Sequence, residues 1–228
     1  MKLCVALDLP TLEENIALAK ELSAFDIWLK VGFRTYIRDG KDILKALKSI
    51  NPNFKIFLDL KLYDIPNTMA DAAEEIAQLG VDMFNIHASA GKVAMQTVMK
   101  RLETHKTPPL VLAVTALTSF DEAHFQAIYH DSIQTKALTF AKDAYASGLN
   151  GVVCSAHESK MIKEQTTTSF VTLTPGIRPF GEDAGDQKRV ADIAMAEQEQ
   201  VDFIVVGRPI YQSKHPAELV EKILSKLL

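Results

Sequence analysis

Ten residues concentrate the chemistry that this sequence could perform. In Asp59-Leu60-Lys61-Leu62-Tyr63-Asp64-Ile65-Pro66-Asn67-Thr68, two carboxylates and an ammonium fall within six positions, directly after the apolar run Lys55-Ile56-Phe57-Leu58. Side chains on a strand alternate between faces, so Asp59 and Lys61 are expected on one face and Leu58, Leu60 and Leu62 on the other. Asp64 follows just past the strand end. A lysine held between carboxylates keeps its proton and can act as a positioned acid or cation. The competing explanation is a surface salt bridge at a strand end. Buried strand positions rarely carry charge without a partner or a task, which favours a site. Lys30 closes the run Asp26-Ile27-Trp28-Leu29-Lys30-Val31-Gly32 and Asp8 closes Leu3 to Leu7. Alone, Lys30 reads as a lysine reaching for water. Beside Asp8, Asp59, Lys61 and Asp64 it completes an alternating charge array, set in place before any reacting charge develops.

The elements that must position these residues recur along the chain. Apolar, β-rich runs lie near Leu3 to Leu7, Ile27 to Val31, Lys55 to Lys61, Asp82 to His87, Leu110 to Thr115, Gly151 to Cys154, Phe170 to Leu173 and Phe203 to Val206. Each is almost continuously hydrophobic, as parallel strands covered on both faces are. The stretches between them read as helices. Thr11-Leu12-Glu13-Glu14 has the form of a capping box and Ser119-Phe120-Asp121-Glu122 repeats it. Further helices are expected over 35–50, 67–79, 90–104, 132–147, 156–165, 187–198 and 215–227. Eight units in 228 residues leave about 28 residues apiece, the size of one βα unit. The first turn, Asp8-Leu9-Pro10-Thr11, lacks the Gly-x-Gly-x-x-Gly of an open dinucleotide-binding sheet. The expected fold class is therefore α/β, a single-domain (β/α)8 or TIM barrel spanning residues 1–228. In such a barrel chemistry gathers at the C-terminal ends of the strands, which is where Asp8, Lys30, Asp59, Lys61, His87, Thr115 to Ser119 and Gly207-Arg208 fall.

The loop from Thr174 to Gln187 contains Gly176, Gly181, Gly185, Pro175 and Pro179. It is long for a compact domain, where loops beyond about 12 to 15 residues are usually functional, and reads as a lid. In these barrels a phosphate often sits between the loops after strands seven and eight. Gly207 would let backbone approach it closely, and Arg208 and Gln187 would donate hydrogen bonds. Thr118 faces the barrel mouth, with Ser119 expected to cap the next helix. His87 has no partner at metal-ligand spacing and reads as a hydrogen-bonded structural histidine.

Composition narrows the partners. The net charge of −4 and pI near 5.9 argue against a nucleic-acid polymer, which asks for a basic stripe, but leave room for a basic pocket holding one phosphate. The two cysteines, Cys4 and Cys154, sit in apolar runs without Cys-x-x-Cys spacing and read as buried thiols in a reducing compartment. No apolar run approaches the roughly 18 residues of a membrane span, and the first residues lack the pattern of a signal peptide. A cytoplasmic protein with no membrane partner is expected.

With these motifs in hand, the chain resembles the orotidine 5′-phosphate decarboxylase family, bacterial type, over essentially its whole length. The resemblance rests on Ala6-Leu7-Asp8, Lys30-Val31-Gly32, the decapeptide from Asp59 to Thr68, Leu117-Thr118-Ser119, Thr174-Pro175-Gly176-Ile177-Arg178, Gln187 and Val206-Gly207-Arg208-Pro209. One departure is Ala90-Gly91, where the family tends to have two adjacent glycines. The resemblance implies decarboxylation of orotidine 5′-monophosphate to UMP in pyrimidine biosynthesis, no cofactor and no metal, and a homodimer in which Asp64 and Thr68 reach the partner's site. It further implies that Lys61 stabilises a C6 carbanion and protonates it, with Asp59 at the departing carboxylate. Lys30 and Asp64 would orient the lysine and bind ribose hydroxyls, with Asp8 and Thr68 completing that contact. Thr118 would read the pyrimidine edge, and Arg178, Gln187, Gly207 and Arg208 would hold the phosphate. A hexulose-phosphate synthase or related sugar-phosphate decarboxylase shares the barrel and an Asp-x-Lys-x-x-Asp pattern but uses Mg²⁺; Ile65-Pro66-Asn67-Thr68 points instead to the nucleotide enzyme. A non-catalytic UMP or phosphate sensor is a third possibility, though a binder has no need of Lys61 opposite Asp59.

Overall fold

Apolar runs with both faces buried can satisfy their backbone groups only by pairing with one another, and here they do so around a complete circle. In the computed structural model, which describes residues 1–183, 185 and 188–227, the strands are β1 (Lys2–Ala6), β2 (Trp28–Gly32), β3 (Lys55–Leu62), β4 (Met83–His87), β5 (Leu110–Val114), β6 (Gly151–Val153), β7 (Val171–Thr174) and β8 (Phe203–Val206). Each pairs in parallel with the next, and β8 pairs with β1 to close the barrel. The helices are α1 (Leu12–Glu21), α2 (Phe33–Ile50), α3 (Pro66–Gln78), α4 (Lys92–Leu102), α5 (Glu122–Tyr129), α6 (Ile133–Ala146), α7 (Ala156–Gln165), α8 (Ile193–Gln198), α9 (Arg208–Tyr211) and α10 (Pro216–Leu227). The expected (β/α)8 barrel is the fold observed. Among the described residues no helix is long and apolar enough to cross a membrane.

Period-two alternation separates two cores. Cys4, Ala6, Phe57, Met83, Leu112 and Phe203 fill the barrel interior, while Leu3, Val5, Leu58, Phe84, Val111 and Ile204 face the helices. Both sets are buried, which is why the strands read as unbroken apolar runs. Each large interior side chain contributes about 2 kcal/mol relative to exposure. Trp28 and Phe203 stack edge to face at 5.1 Å beneath this interior. The charged residues therefore stand on a packed floor.

Local signals held at several helix starts and failed at others. Thr11 and Glu14 form the expected capping box on α1, and at the start of α7 the Glu158 carboxylate accepts the Ser155 N–H at 2.9 Å. Ser119 is not a cap. Asp121 caps α5, its side chain accepting from the His124 N–H at 2.9 Å, because a carboxylate two residues later outcompetes the hydroxyl for the helix N-terminus. The helix expected over 187–198 is confined to α8, capped by Asp192. The stretch expected to be helical from residue 90 instead begins as a single 3₁₀ turn, Ala88–Ala90, and breaks at Gly91 with φ 89° before α4.

Candidate active site at the C-terminal mouth of the barrel

β3 carries Asp59 and Lys61 and departs from ideal geometry between them. Its pairing with β4 is regular to Leu58↔Phe84 and resumes at Leu62↔Ile86, with a register shift between them. Within that bulge Lys61 adopts φ 49°, a left-handed conformation that costs a non-glycine residue about 1–3 kcal/mol and tends to persist where the surroundings enforce it. Asp59 and Lys61 nevertheless share the inward face with Phe57, all three lining one cavity of about 290 Å³.

Registry brings the neighbours alongside. Ala6 pairs with Lys30 and Gly32 with Asp59, so β1, β2 and β3 present Asp8, Lys30, Asp59 and Lys61 as adjacent charges. Lys30 Nζ donates to both Asp8 oxygens at 3.1 Å and lies 3.5 Å from Asp59 Oδ2. Lys61 Nζ donates to Asp59 Oδ1 at 2.6 Å. The far end of the Lys61 side chain lies 5.6 Å from the centre of the Phe33 ring. Burial opposes the charge on Lys30, but Asp59 and Asp8 more than offset it and hold the ammonium above its ordinary range. Burial likewise opposes the Asp59 charge; Lys30 and Lys61, with hydrogen bonds from Lys61 and Asn85, outweigh it and hold the carboxyl below its ordinary range. Gly32 makes room for this packing. A β-carbon there would lie 2.9 Å from Lys30 Nζ and 3.1 Å from Asp8 Oδ1.

The rest of the wall comes from the loops after β5, β7 and β8. Thr118, Arg178, Gly207 and Arg208 line the same cavity as the charges. Arg178 is buried, its Nε donating to the Asp183 carbonyl at 2.6 Å and its Nη1 to the Ile177 carbonyl at 3.1 Å. Gly185 has φ 62°, and a β-carbon there would collide with the Arg208 guanidinium, so the loop passes directly over that arginine. The Lys222 ammonium lies 4.1 Å from the centre of the Phe180 ring, which pins the loop's outer side to α10. Its far end is tied to the loop after β5: Lys188 and Arg189 donate backbone N–H groups to the Thr118 carbonyl at 3.2 and 3.3 Å. Arg189 also reaches the Ala116 and Leu117 carbonyls and pairs with buried Glu158. Burial raises the Glu158 carboxyl, against the pull of Arg189. Gln187 lies outside the described residues.

Asp64 and Thr68 stand apart from this cavity. They line a separate shallow groove with Phe33, Tyr63 and Met69, and Lys61 is shared between the two. His87 accepts from the Ser89 N–H at 3.3 Å and pairs with the Ser89 hydroxyl at 2.6 Å, fixing the turn after β4; burial, then the Lys61 charge, lower its pKa. Both cysteines are free and buried, and burial pushes both thiols up, which keeps them protonated. Asn85, Gly32, Glu158 and Arg189 were not anticipated. For Asn85 a signal existed, a lone amide within Met83-Phe84-Asn85-Ile86. Arg189, in a polar loop, carried none.

A closed parallel barrel with charged residues gathered at the C-terminal ends of its strands is a protein of the (β/α)8 class. The sequence matches the model of the orotidine 5′-phosphate decarboxylase / HUMPS family over residues 1–223. It is 71% identical to the orotidine 5′-phosphate decarboxylase of Nitratiruptor sp. and 68% identical to that of Sulfurimonas denitrificans, each over the full length of both chains. A crystal structure of orotidine 5′-phosphate decarboxylase from Lactobacillus acidophilus superposes with a TM-score of 0.85 at 33% identity, covering 99% of this chain and 98% of that one. The chain belongs to the orotidine 5′-phosphate decarboxylase / HUMPS family. With full-length relatives of that name, it falls among the carboxy-lyases.

Proposed function

We propose that this chain, acting as one domain over residues 1–228, decarboxylates orotidine 5′-monophosphate to UMP and CO₂ in pyrimidine biosynthesis, without a cofactor, and that Lys61 is the proton donor. The observation that carries this reading is the array Asp8, Lys30, Asp59 and Lys61, with Asp59 and Lys61 only 2.6 Å apart on the cavity wall. The C6–carboxylate bond breaks, CO₂ leaves, and the electron pair stays in the plane of the ring, where the π system cannot take it up. The Lys61 ammonium stabilises that pair and then transfers its proton to C6, and the neutral amine recovers a proton from water. Asp59 lies beside the departing carboxylate and holds Lys61, while Lys30, gripped by Asp8, secures Asp59 from the other side. Side chains thus supply both the proton and the electrostatic field.

Thr118 and the backbone beside it face the pyrimidine, and Gln187, Arg178, Gly207 and Arg208 hold the phosphate. Binding energy from that remote group goes into closure and positioning, so orotidine without phosphate should lose turnover as well as affinity. The groove beyond Lys61 supports a second subunit. Phe33, Ile37, Tyr63, Ile65 and Val93 are all exposed, and Phe33 and Tyr63 line the groove that holds Asp64 and Thr68. A homodimer covers these apolar side chains and carries Asp64 and Thr68 into the partner's site.

The test is turnover of orotidine 5′-monophosphate in the presence of EDTA, followed by ultraviolet absorbance, for the native chain and for Lys61→Ala. Turnover that survives EDTA and collapses in the variant is expected. Activity that EDTA abolishes and Mg²⁺ restores, or a fully active variant, overturns the proposal.

A further inference from the structure

β4 would be wholly apolar from Met83 to Ile86 but for Asn85, and Asn85 is completely buried. An amide enclosed without partners is costlier than an apolar side chain in the same place, so its two ends must be accounted for. Leu58 stands opposite Phe84 and Leu62 opposite Ile86. Three residues of β3, namely Asp59, Leu60 and Lys61, are therefore spanned on β4 by Asn85 alone. A regular parallel ladder would supply evenly spaced backbone partners over this stretch. Here the Asn85 side chain replaces them. Its Oδ1 accepts the Lys61 backbone N–H at 2.7 Å, and its Nδ2 donates to Asp59 Oδ1 at 2.8 Å, the same oxygen that the Lys61 ammonium contacts.

One amide thus bridges the two ends of the bulge and closes a ring that runs from the Lys61 backbone through Asn85 and Asp59 to the Lys61 ammonium. The choice of side chain is narrow. Aspartate could accept the N–H but would set a second carboxylate against Asp59; leucine could do neither; glutamine is one methylene too long. Asn85 does not line the cavity, so its influence on a ligand passes through Lys61 and Asp59.

We propose that Asn85 is a positioning residue whose amide holds the β3 bulge that aims the Lys61 ammonium into the cavity and fixes the Asp59 oxygen against it. The kinetic part of this inference rests on the decarboxylase reading; the structural part does not. Three quantities test it in the native chain, Asn85→Ala and Asn85→Asp: hydrogen exchange of the Lys61 backbone amide by NMR, kcat and KM for orotidine 5′-monophosphate, and Kd for UMP. In Asn85→Ala the Lys61 amide, deprived of its acceptor, should exchange at least about tenfold faster. There kcat should fall about 100-fold, the scale for a reacting group displaced by about an ångström, while Kd for UMP stays within about threefold because phosphate and base are gripped elsewhere. Asn85→Asp, which keeps the acceptor, should retain slow exchange yet lose kcat, since a carboxylate now faces Asp59.

An unchanged kcat in Asn85→Ala, or a loss of kcat matched by an equal loss of UMP affinity, overturns the proposal. If Asn85→Ala does not accumulate as folded protein, Asn85→Ser and the near-isosteric Asn85→Asp carry the same comparison. A native chain inactive on orotidine 5′-monophosphate would defeat the decarboxylase reading, and Lys61 amide exchange would still decide the role of Asn85 in the bulge.

Discussion

Gly32→Ala offers a way to move one charge without removing any. The backbone at Gly32, φ −93° and ψ −176°, is extended and open to alanine, so the substitution acts through its methyl group alone. That carbon would lie 2.9 Å from Lys30 Nζ, and relief to ordinary contact requires the ammonium to retreat by about half an ångström. Lys30 Nζ is now 3.5 Å from Asp59; at an effective dielectric constant of about 20, that retreat forfeits about 0.5 kcal/mol of attraction. The larger loss is a charge-assisted hydrogen bond to Asp8, about 1.5–3 kcal/mol when intact. Asp8 is 37% exposed, so solvent screens the pair and the low end applies. The total is about 2 kcal/mol, or about 30-fold in kcat/KM for orotidine 5′-monophosphate if the whole of it is felt in the transition state. The assay is a double-mutant cycle with Lys30→Ala, read as kcat/KM. Where no ammonium remains to be displaced, Gly32→Ala should cost less than about threefold. An equal loss in both backgrounds would show that the methyl acts on the backbone and refute the steric reasoning, as would full activity of Gly32→Ala itself.

Asp59 should leave a mark on acid stability. Its folded pKa lies below the unfolded value, so its contribution is fully present above the ordinary carboxyl range, near pH 4, and is lost as pH falls through the depressed folded value. Urea midpoints measured downward from about pH 4 should therefore fall more steeply for the native chain than for Asp59→Asn; parallel curves would contradict the depressed pKa. Gly185→Ala should disturb the phosphate end alone, because a methyl group at this positive-φ position runs into the Arg208 guanidinium. The expected result is about tenfold weaker binding of UMP, the scale of one charged hydrogen bond, with the affinity for uridine unchanged; equal weakening of both ligands would rule out a phosphate-specific effect.

Much of this architecture was legible because burial on both faces leaves a distinctive trace. Val5 against the helices and Ala6 inside the barrel are both apolar, and so are Leu58 and Phe57, which is why eight dense runs announced a closed parallel sheet. Charges at the ends of such runs stood out for the same reason, and Asp8, Lys30, Asp59 and Lys61 line one cavity as expected. The bulge did not show, because Asp59-Leu60-Lys61-Leu62 alternates as cleanly as a regular strand while the register beside it slips. The lone amide of Asn85 within Met83-Phe84-Asn85-Ile86 marked the position, but not its partners, because those depend on the slip. Arg189 and Glu158 meet from segments 31 residues apart, and neither helix periodicity nor loop composition encodes such a meeting. The helix expected over 187–198 is shortened where the Lys188 and Arg189 backbone donates to Thr118 instead, and the misplaced cap at Ser119 is a local competition that Asp121 wins.

The pairing of β1 with β8 also governs when the molecule comes together. Lys2–Ala6 emerges from the ribosome before the other seven strands, and its final neighbour, Phe203–Val206, emerges last. Through most of synthesis β1 presents an unpaired edge of Leu3, Cys4, Val5 and Ala6, a segment with no proline and only Lys2 as a charge to discourage another chain from adding to it. Asp8 and Arg208, each just beyond one of these two strands, come to line one cavity only when the circle shuts. A nascent chain stopped short of Phe203 therefore holds the whole ammonium and carboxylate set with no closed wall to fix it. Weakening β8 should consequently be felt first as lost yield of folded protein, and only afterwards as a change in the molecules that reach the native state.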